Sequence, residues 1–411
     1  MSQSPSPRVL FFSACAGILV FGIVFAVLGT VFGLPAMRAR LQINLAQQGD
    51  LFLLLYFGIF CASLIVGPLI DHLGNQANLL TCSAIVAAAM LAFAAAHSFS
   101  ASCAAALLLG LGGGGLNTCT NVLVSDLYGD ERGPMLNLLG IFFGIGALFV
   151  PLLAVTIEGH FTISQLFLSC AALAAACAVV YGAISFPPAR VGRAFSWREA
   201  LGVVKYEGVL LLGFILFCES GNEASIGGWT STYINGAGYS PRAATLALAA
   251  YWAALMVGRI LAANMLHAFS KSRLVALSAI ISLVGCAILL TGHTFWFFML
   301  GTALVGLSYG PIFPTTLAIA GDRYSNQAGT VFGLLFSIAL IGGMLLPWAV
   351  GQVSQQFGLR AGMIVPGTGR SELLFWPLYW CCASVWPPGS AKRPKLCSCG
   401  RSLKVQNWKV A

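Results

Sequence analysis

The stretch Gly306 to Pro347, GLSYGPIFPTTLAIAGDRYSNQAGTVFGLLFSIALIGGMLLP, decides the fold because the chain contains it twice. Its earlier copy is Gly110 to Pro151, GLGGGGLNTCTNVLVSDLYGDERGPMLNLLGIFFGIGALFVP, and the shift from 110 to 306 is 196 residues with no gap. That single shift lays Gly110 on Gly306, Leu111 on Leu307, Gly114 on Gly310, Asp126 on Asp322, Tyr128 on Tyr324, Gly133 on Gly329, Leu139 on Leu335, Gly146 on Gly342 and Pro151 on Pro347. Apolar residues coincide by chance in a chain this hydrophobic. Gly, Pro, Asp and Tyr falling together at one shift mark an internal repeat.

The 411 residues are 58% hydrophobic and 8% charged, with a mean hydropathy of +0.88. No soluble domain of this length hides that much apolar surface, so the class is an all-α polytopic membrane protein. Apolar runs fall at Val9–Leu34, Leu51–Ile70, Leu79–Ala96, Ala101–Val124, Pro134–Ile157 and Ser164–Phe186, then at Glu207–Ile234, Ala243–Ala268, Leu274–Leu290, Phe295–Ala320 and Ala328–Val353, with a doubtful twelfth after them. The first run is too long for a cleaved signal segment. Residues 1–187 thus form one six-helix bundle, 188–206 a linker carrying Arg190, Arg193, Arg198 and Lys205, 207–366 a second bundle and 367–411 an atypical tail. Under the repeat, helices four and five correspond to ten and eleven, and helix seven to helix one. Two bundles in parallel orientation, related by a pseudo-two-fold axis along the membrane normal, place a binding site near the midplane between them.

The formal charge of +9 raises the question of nucleic acid. Seven of the 21 basic residues, Arg370, Lys392, Arg393, Lys395, Arg401, Lys404 and Lys409, lie in the tail, and most others lie in short connections. With a cytoplasmic N-terminus, the inner side up to Arg360 holds Arg8, Arg132, Arg190, Arg193, Arg198, Lys205, Lys271, Arg273 and Arg323, against Arg38, Arg40, Arg242 and Arg360 outside. This is a positive-inside distribution, so the expected surroundings are lipid and no nucleic acid. The 13 cysteines scatter through apolar runs, where a thiol behaves as a small hydrophobe. Cys381, Cys382, Cys397 and Cys399 cluster in the tail without the spacing of a zinc site, and no metal or cofactor is expected.

Within the seventh run, LLLGFILFCESGNEASIGGWTSTYI from Leu210 to Ile234, two carboxylates interrupt an apolar segment. Glu219 and Glu223 are four residues apart and share a helix face with Asn222, Ile226 and Tyr233, with Trp229 at its edge. An ionised acid at the centre of a bilayer costs about 2.5–3.5 kcal/mol on insertion scales, so such residues turn to a bundle interior or an aqueous cavity. Two acids one turn apart compete for a proton, which makes the pair candidates for proton coupling. Either glutamate could instead serve only to join helices. Arg259, deep in the eighth run, also needs a partner, and an ion pair with either glutamate would fix its charge and remove a proton carrier. Asn117, Thr118 and Asn121 on helix four are candidate solute ligands or interhelical hydrogen-bonding groups. Trp229, Tyr233 and Trp252 offer flat faces for a sugar ring. The four glycines at 112 to 115 lack the Lys-Ser/Thr of a phosphate loop and read as a close-packing face or a flexible point between helices.

Gly67-Pro-Leu-Ile-Asp71-His-Leu-Gly74 has the form G-x-x-x-D-x-x-G and resembles the loop signature of the major facilitator superfamily, with Asn75 and Gln76 where basic residues usually follow. The resemblance implies a cytoplasmic gate at Asp71; a plain turn is the alternative. Residues 9 to about 365 resemble, more specifically, the fucose-permease-like sugar:proton symporter group. The carrying stretches are Gly112 to Val122, Leu136-Asn137, Glu223 to Trp229, Gly258-Arg259 with Phe269-Ser270, and Pro311 to Phe332. Asn117 stands where that group has a glutamate, its first-helix acid is missing, and Gly140 and Phe143 replace polar residues of helix five. These departures leave Glu219 and Glu223 as the coupling candidates.

Gly358 to Met363 opens a twelfth helix as the group would, but the chain then changes character. Only Leu373 to Trp386 is apolar, with Pro377 inside it, which is short for a span. The expectation is a frameshifted or replaced C-terminus; a divergent tail rescued by tilt is the alternative. Together these features point to a monomeric, proton-coupled secondary transporter of a sugar or similar small polar solute in a bacterial inner membrane. An efflux antiporter of amphipathic compounds and a non-transporting solute sensor are the alternatives. No nucleophile-base arrangement or cofactor motif points to an enzyme.

Overall fold

A computed structural model describes residues 6–129, 132–157, 162–186, 207–265, 269–324 and 327–366. The regular elements among them are helices: α1 (Pro7–Phe32), α2 (Pro35–Leu41), α3 (Leu45–Ala95), α4 (Phe99–Tyr128), α5 (Arg132–Ile157), α6 (Ile163–Ala183), α7 (Glu207–Gly236), α8 (Pro241–Met265), α9 (Lys271–Thr291), α10 (Phe295–Arg323), α11 (Ala328–Phe357) and α12 (Leu359–Gly362). Ten of these helices are long and apolar enough to cross a membrane. The expected linker, 188–206, and the atypical tail, 367–411, lie outside the described residues, and of the expected twelfth helix the described residues hold the opening turn, α12.

Local chemistry sets the ends of these helices. Pro7 and Pro35 each open a helix, where a missing N–H costs nothing. Asn44 and Gln47 form a reciprocal capping box at the start of α3, as Thr162 and Gln165 do at α6. The 51 residues of α3 hold the two spans expected at Leu51–Ile70 and Leu79–Ala96. They join without a loop, and the turn reduces to Gly74, whose φ of 79° suits a residue without Cβ. The second glycine of the G-x-x-x-D-x-x-G stretch therefore makes the break between spans. Sequence patterning did not anticipate the short α2, because seven residues carry too little periodicity.

Lipid offers no hydrophobic drive between helices, so close backbone approach holds the bundle together. The repeat is legible in those approaches. A Cβ on Gly110 would collide with the carbonyl oxygen of Leu55, and one on Gly306 with that of Tyr251, positions again 196 apart. Gly114 meets Ile59 as Gly310 meets Leu255, at the same shift. Helix α1 packs on α5 as α7 packs on α11, and α4 packs against α3 as α10 packs against α8 and α9. The arrangement is one of two similar bundles, as the repeat implies. Outward-facing Phe12, Ile65, Val179, Ile280 and Trp296 present the apolar exterior that a bilayer requires.

The glycines at 112 to 115 form a packing hub. Gly112 lies on Val86, Gly113 on Val24, Gly114 on Ile59 and Gly115 on Cys82, so α4 touches α1 and both arms of α3 through them.

Candidate functional site

Helix α7 lies among α1, α8, α10 and α11, and so belongs to the core of its own bundle and to the seam with the other. Glu219 is fully buried and Glu223 is 7% exposed. Around Glu223 the ionisable neighbours are Glu219 on its own helix, Arg259 and Tyr251 from α8 and Tyr56 from α3. The Tyr251 hydroxyl donates to the Glu223 carbonyl oxygen at 3.3 Å. Arg259 stands within electrostatic reach of Glu223, with its guanidinium over the Phe143 ring. The structure therefore gathers the two glutamates and the arginine that the sequence singles out.

The expected solute ligands are placed less uniformly. Asn121 donates through Nδ2 to the Asn117 carbonyl oxygen at 2.7 Å and to Asn117 Oδ1 at 3.0 Å, so the two amides first satisfy each other along α4. The Thr118 hydroxyl donates to the Gly114 carbonyl of its own helix at 3.0 Å. All three residues are half-buried. Asn222 is buried, and its Oδ1 meets no hydrogen-bond partner.

All three flat faces are engaged in packing. Trp229 Nε1 donates to the Pro347 carbonyl at 3.0 Å, and its ring lies 5.7 Å from that of Phe52. The Tyr233 hydroxyl reaches the Leu289 carbonyl at 3.5 Å, and its ring meets Phe298 edge-on, which turns it toward α9 and α10. Trp252 reaches the seam as Trp229 does through Phe52. Its indole lies 5.9 Å from Phe25 of α1 and 6.3 Å from Phe143 of α5, and its buried Nε1 has no hydrogen-bond partner.

Around Phe25 the seam carries an aromatic cluster that sequence reasoning did not find. Phe25 is 5.3 Å from Tyr56 and 5.4 Å from Phe143, both edge-on. Such pairs contribute about 0.5–1.5 kcal/mol each beyond buried area. The members come from α1, α3, α5 and α8, so no periodicity within one helix announces them.

At the end of the bundle that carries α2, the halves are joined by polar contacts also missed in sequence. Asp50 accepts from Trp348 Nε1 at 3.0 Å and from Gln352 Nε2 at 3.3 Å. Gln48 donates to Thr232 at 3.0 Å, and the Leu45 amide donates to Gln355 at 3.0 Å. Half-buried Arg38, whose basicity burial lowers, donates to Asn235 at 3.4 Å. Between these bonds Gly49 and Gly351 bring α3 and α11 backbone to backbone. Asp50 stands one residue before an apolar run and reads in sequence as a flank.

Asp71 is half-exposed on α3, three residues before the break at Gly74. A Cβ on Gly67 or Gly74 would meet nothing within 4 Å, so neither glycine is there for close helix approach. Among the described residues no group of His, Cys, Asp and Glu is arranged to hold a metal.

The family model of the Major Facilitator Superfamily matches residues 14–267 and 212–369. An uncharacterised MFS-type transporter, YfkL of Bacillus subtilis, is 22% identical over 341 residues, covering 78% of this chain and 84% of its own. A glucose/galactose transporter of Brucella abortus is 25% identical over 175 residues, 41% of this chain and 42% of its own. Among solved structures, a D-xylose-proton symporter superposes with a TM-score of 0.74 at 13% identity, covering 90% of this chain and 97% of the symporter. The chain belongs to the Major Facilitator Superfamily and is an integral membrane transporter rather than an enzyme.

Proposed function

We propose that this superfamily member is a proton-coupled secondary transporter of a sugar or similar small polar solute, working by alternating access as a monomer in a bacterial inner membrane. The observation that carries the coupling is the acid pair Glu219 and Glu223, both buried midway along α7 beside Arg259. Burial of two carboxylates is costly in lipid, and a transmembrane acid near a bundle interior marks an ion pathway by default. The solute class is supported by the glucose/galactose transporter among its relatives and the xylose-proton symporter among its structural likenesses. Asn117, Asn121 and Asn222 supply hydrogen-bonding groups for a hydroxylated solute, and Trp252 a ring face with a free indole donor. With the N-terminus in the cytoplasm, the polar seal around Asp50 faces outward, and Asp71 sits at the opposite, cytoplasmic end.

Solute-dependent proton uptake into liposomes, compared with Glu219→Gln and Glu223→Gln, tests this reading. At least one substitution is expected to abolish proton uptake while solute still equilibrates. Absence of solute flux under every gradient would sink the transporter reading. Flux with unchanged proton uptake in both variants would sink the coupling role. The aromatic cluster of Phe25, Tyr56, Phe143 and Trp252 favours a second reading, efflux of amphipathic compounds, which the same liposomes test with a lipophilic cation in place of sugar.

A further inference from the structure

Arg259 has a partner in each half of the transporter. Its guanidinium carbon lies 5.5 Å from the centroid of Phe143 on α5, and a Cβ on Gly140 would sit 3.5 Å from its Nη1. Gly140 leaves the space beside which the guanidinium rests. Gly144 does the same for Met256, one turn before Arg259 on α8, because a Cβ there would strike the Met256 side chain. Two glycines one turn apart thus seat two long side chains from the other half. In its own half, Arg259 acts electrostatically on Glu223 of α7.

We propose that Arg259 is a positioning residue whose hold on α5 is set by the charge on Glu223, so that loading a proton there tightens the contact between the halves. This rests on the reading of Glu223 as a coupling acid. A guanidinium is drawn to a carboxylate more strongly than to a ring face. While Glu223 is ionised, the stronger partner lies on α7 and the grip on Phe143 slackens. Once Glu223 is protonated, the ring is the partner that remains, and the head group settles over it. Helices α5 and α8 then close at this level, which links proton loading to occlusion without direct contact between the acid and the N-terminal half's α5.

The other ionisable groups around the pair come from each packed element. Glu219 is on α7 itself, Tyr251 on α8 and Tyr56 on α3, while Tyr309 of α10 acts on Tyr251. Helix α11 has no ionisable side chain, α1 has Arg8 and Cys15 in its first half, and α5 has Arg132 at its first position. Phenols and arginines do not change charge between acid and neutral pH. Among the described residues around the pair Glu219 is the competing acid, so Glu219→Gln tests which of the two titrates.

Pulsed spin-resonance distances in liposomes test the proposal, with labels on Leu138→Cys of α5 and Ile260→Cys of α8, both outward-facing. Acidification is expected to shorten and narrow the distance in the otherwise unaltered chain, and loss of that response in Glu219→Gln but not in Glu223→Gln would place the titrating group at Glu219 and overturn the proposal. Glu223→Gln should hold the short distance at every pH. Arg259→Gln and Phe143→Leu should each remove the pH response, and Phe143→Leu keeps every charge should Arg259→Gln fail to fold. A distance indifferent to pH in the unaltered chain overturns the proposal. So does a response that survives both Arg259→Gln and Phe143→Leu; if Glu223→Gln alone removes it, the coupling acid stands while the clasp falls. A response kept in Glu223→Gln but lost in Arg259→Gln places the titrating group elsewhere and overturns the role of Glu223 in both readings.

Discussion

Helices α1 and α7 are counterparts in the repeat, yet they spend their buried surface differently. At the shift of 196, Ile23 and Val27 of α1 stand where Glu219 and Glu223 stand in α7. Burial does not separate them: Ile23 is 1% and Val27 0% exposed, against 0% and 7% for the glutamates. The two helices also cross each other closely, because a Cβ on Gly29 would collide with the Gly227 carbonyl. One scaffold position therefore carries hydrocarbon in one half and carboxylate in the other. Helix α1 packs with hydrocarbon at both positions, which is the contrast that the proposed coupling role of the acids rests on.

The strongest way to break this comparison is to make α1 resemble α7. Ile23→Glu or Val27→Glu is expected to lower stability by about 3 kcal/mol each, the cost of an acid at membrane depth without a prepared surrounding. Unfolding in detergent-lipid mixtures measures the loss, and tolerance of both acids would show that α1 already has a polar environment. The reverse exchange, Glu219→Ile and Glu223→Val together with Arg259→Leu so that no charge is left unpaired, is expected to leave stability unchanged or raise it by up to about 1–4 kcal/mol, as when a buried charged group and its partner give way to packed hydrocarbon. A marked destabilisation would make the acids structural. The smallest effect is expected from hydroxyls that both helices satisfy internally. Thr30 donates to the Ala26 carbonyl at 3.0 Å and Ser225 to the Gly221 carbonyl at 2.7 Å. Thr30→Val and Ser225→Ala should each change stability by less than about 1 kcal/mol and leave solute flux intact. A flux defect in either would place that hydroxyl on the solute path.

Much of this architecture was legible because it rests on features that one helix displays alone. Run length fixed the spans, the Gly and Pro of the repeat fixed the pairing of halves, and acids within an apolar run identified α7. What was not legible lies between helices. Asp50 and Trp348 are 298 residues apart in sequence, and the bond between them follows from how α3 and α11 meet. The same holds for Phe25, Phe143 and Trp252, which come from three helices and meet only where those helices do. Trp229 and Tyr233 share an edge with the acids in projection, but their polar atoms are committed to carbonyls of α11 and α9. A helical wheel gives direction and not the neighbour found there.

Glu219 and Glu223 straddle the midpoint of α7, which runs from Glu207 to Gly236. A charge moved across the whole membrane is worth about 2.3 kcal/mol per 100 mV. A proton reaching these carboxylates from either face crosses roughly half of that field, and leaving by the other face crosses the rest. On the proposed coupling role, membrane voltage would act on both loading and release, in similar measure, and not on one of them alone. An acid at either end of the helix would concentrate the electrical work in a single step.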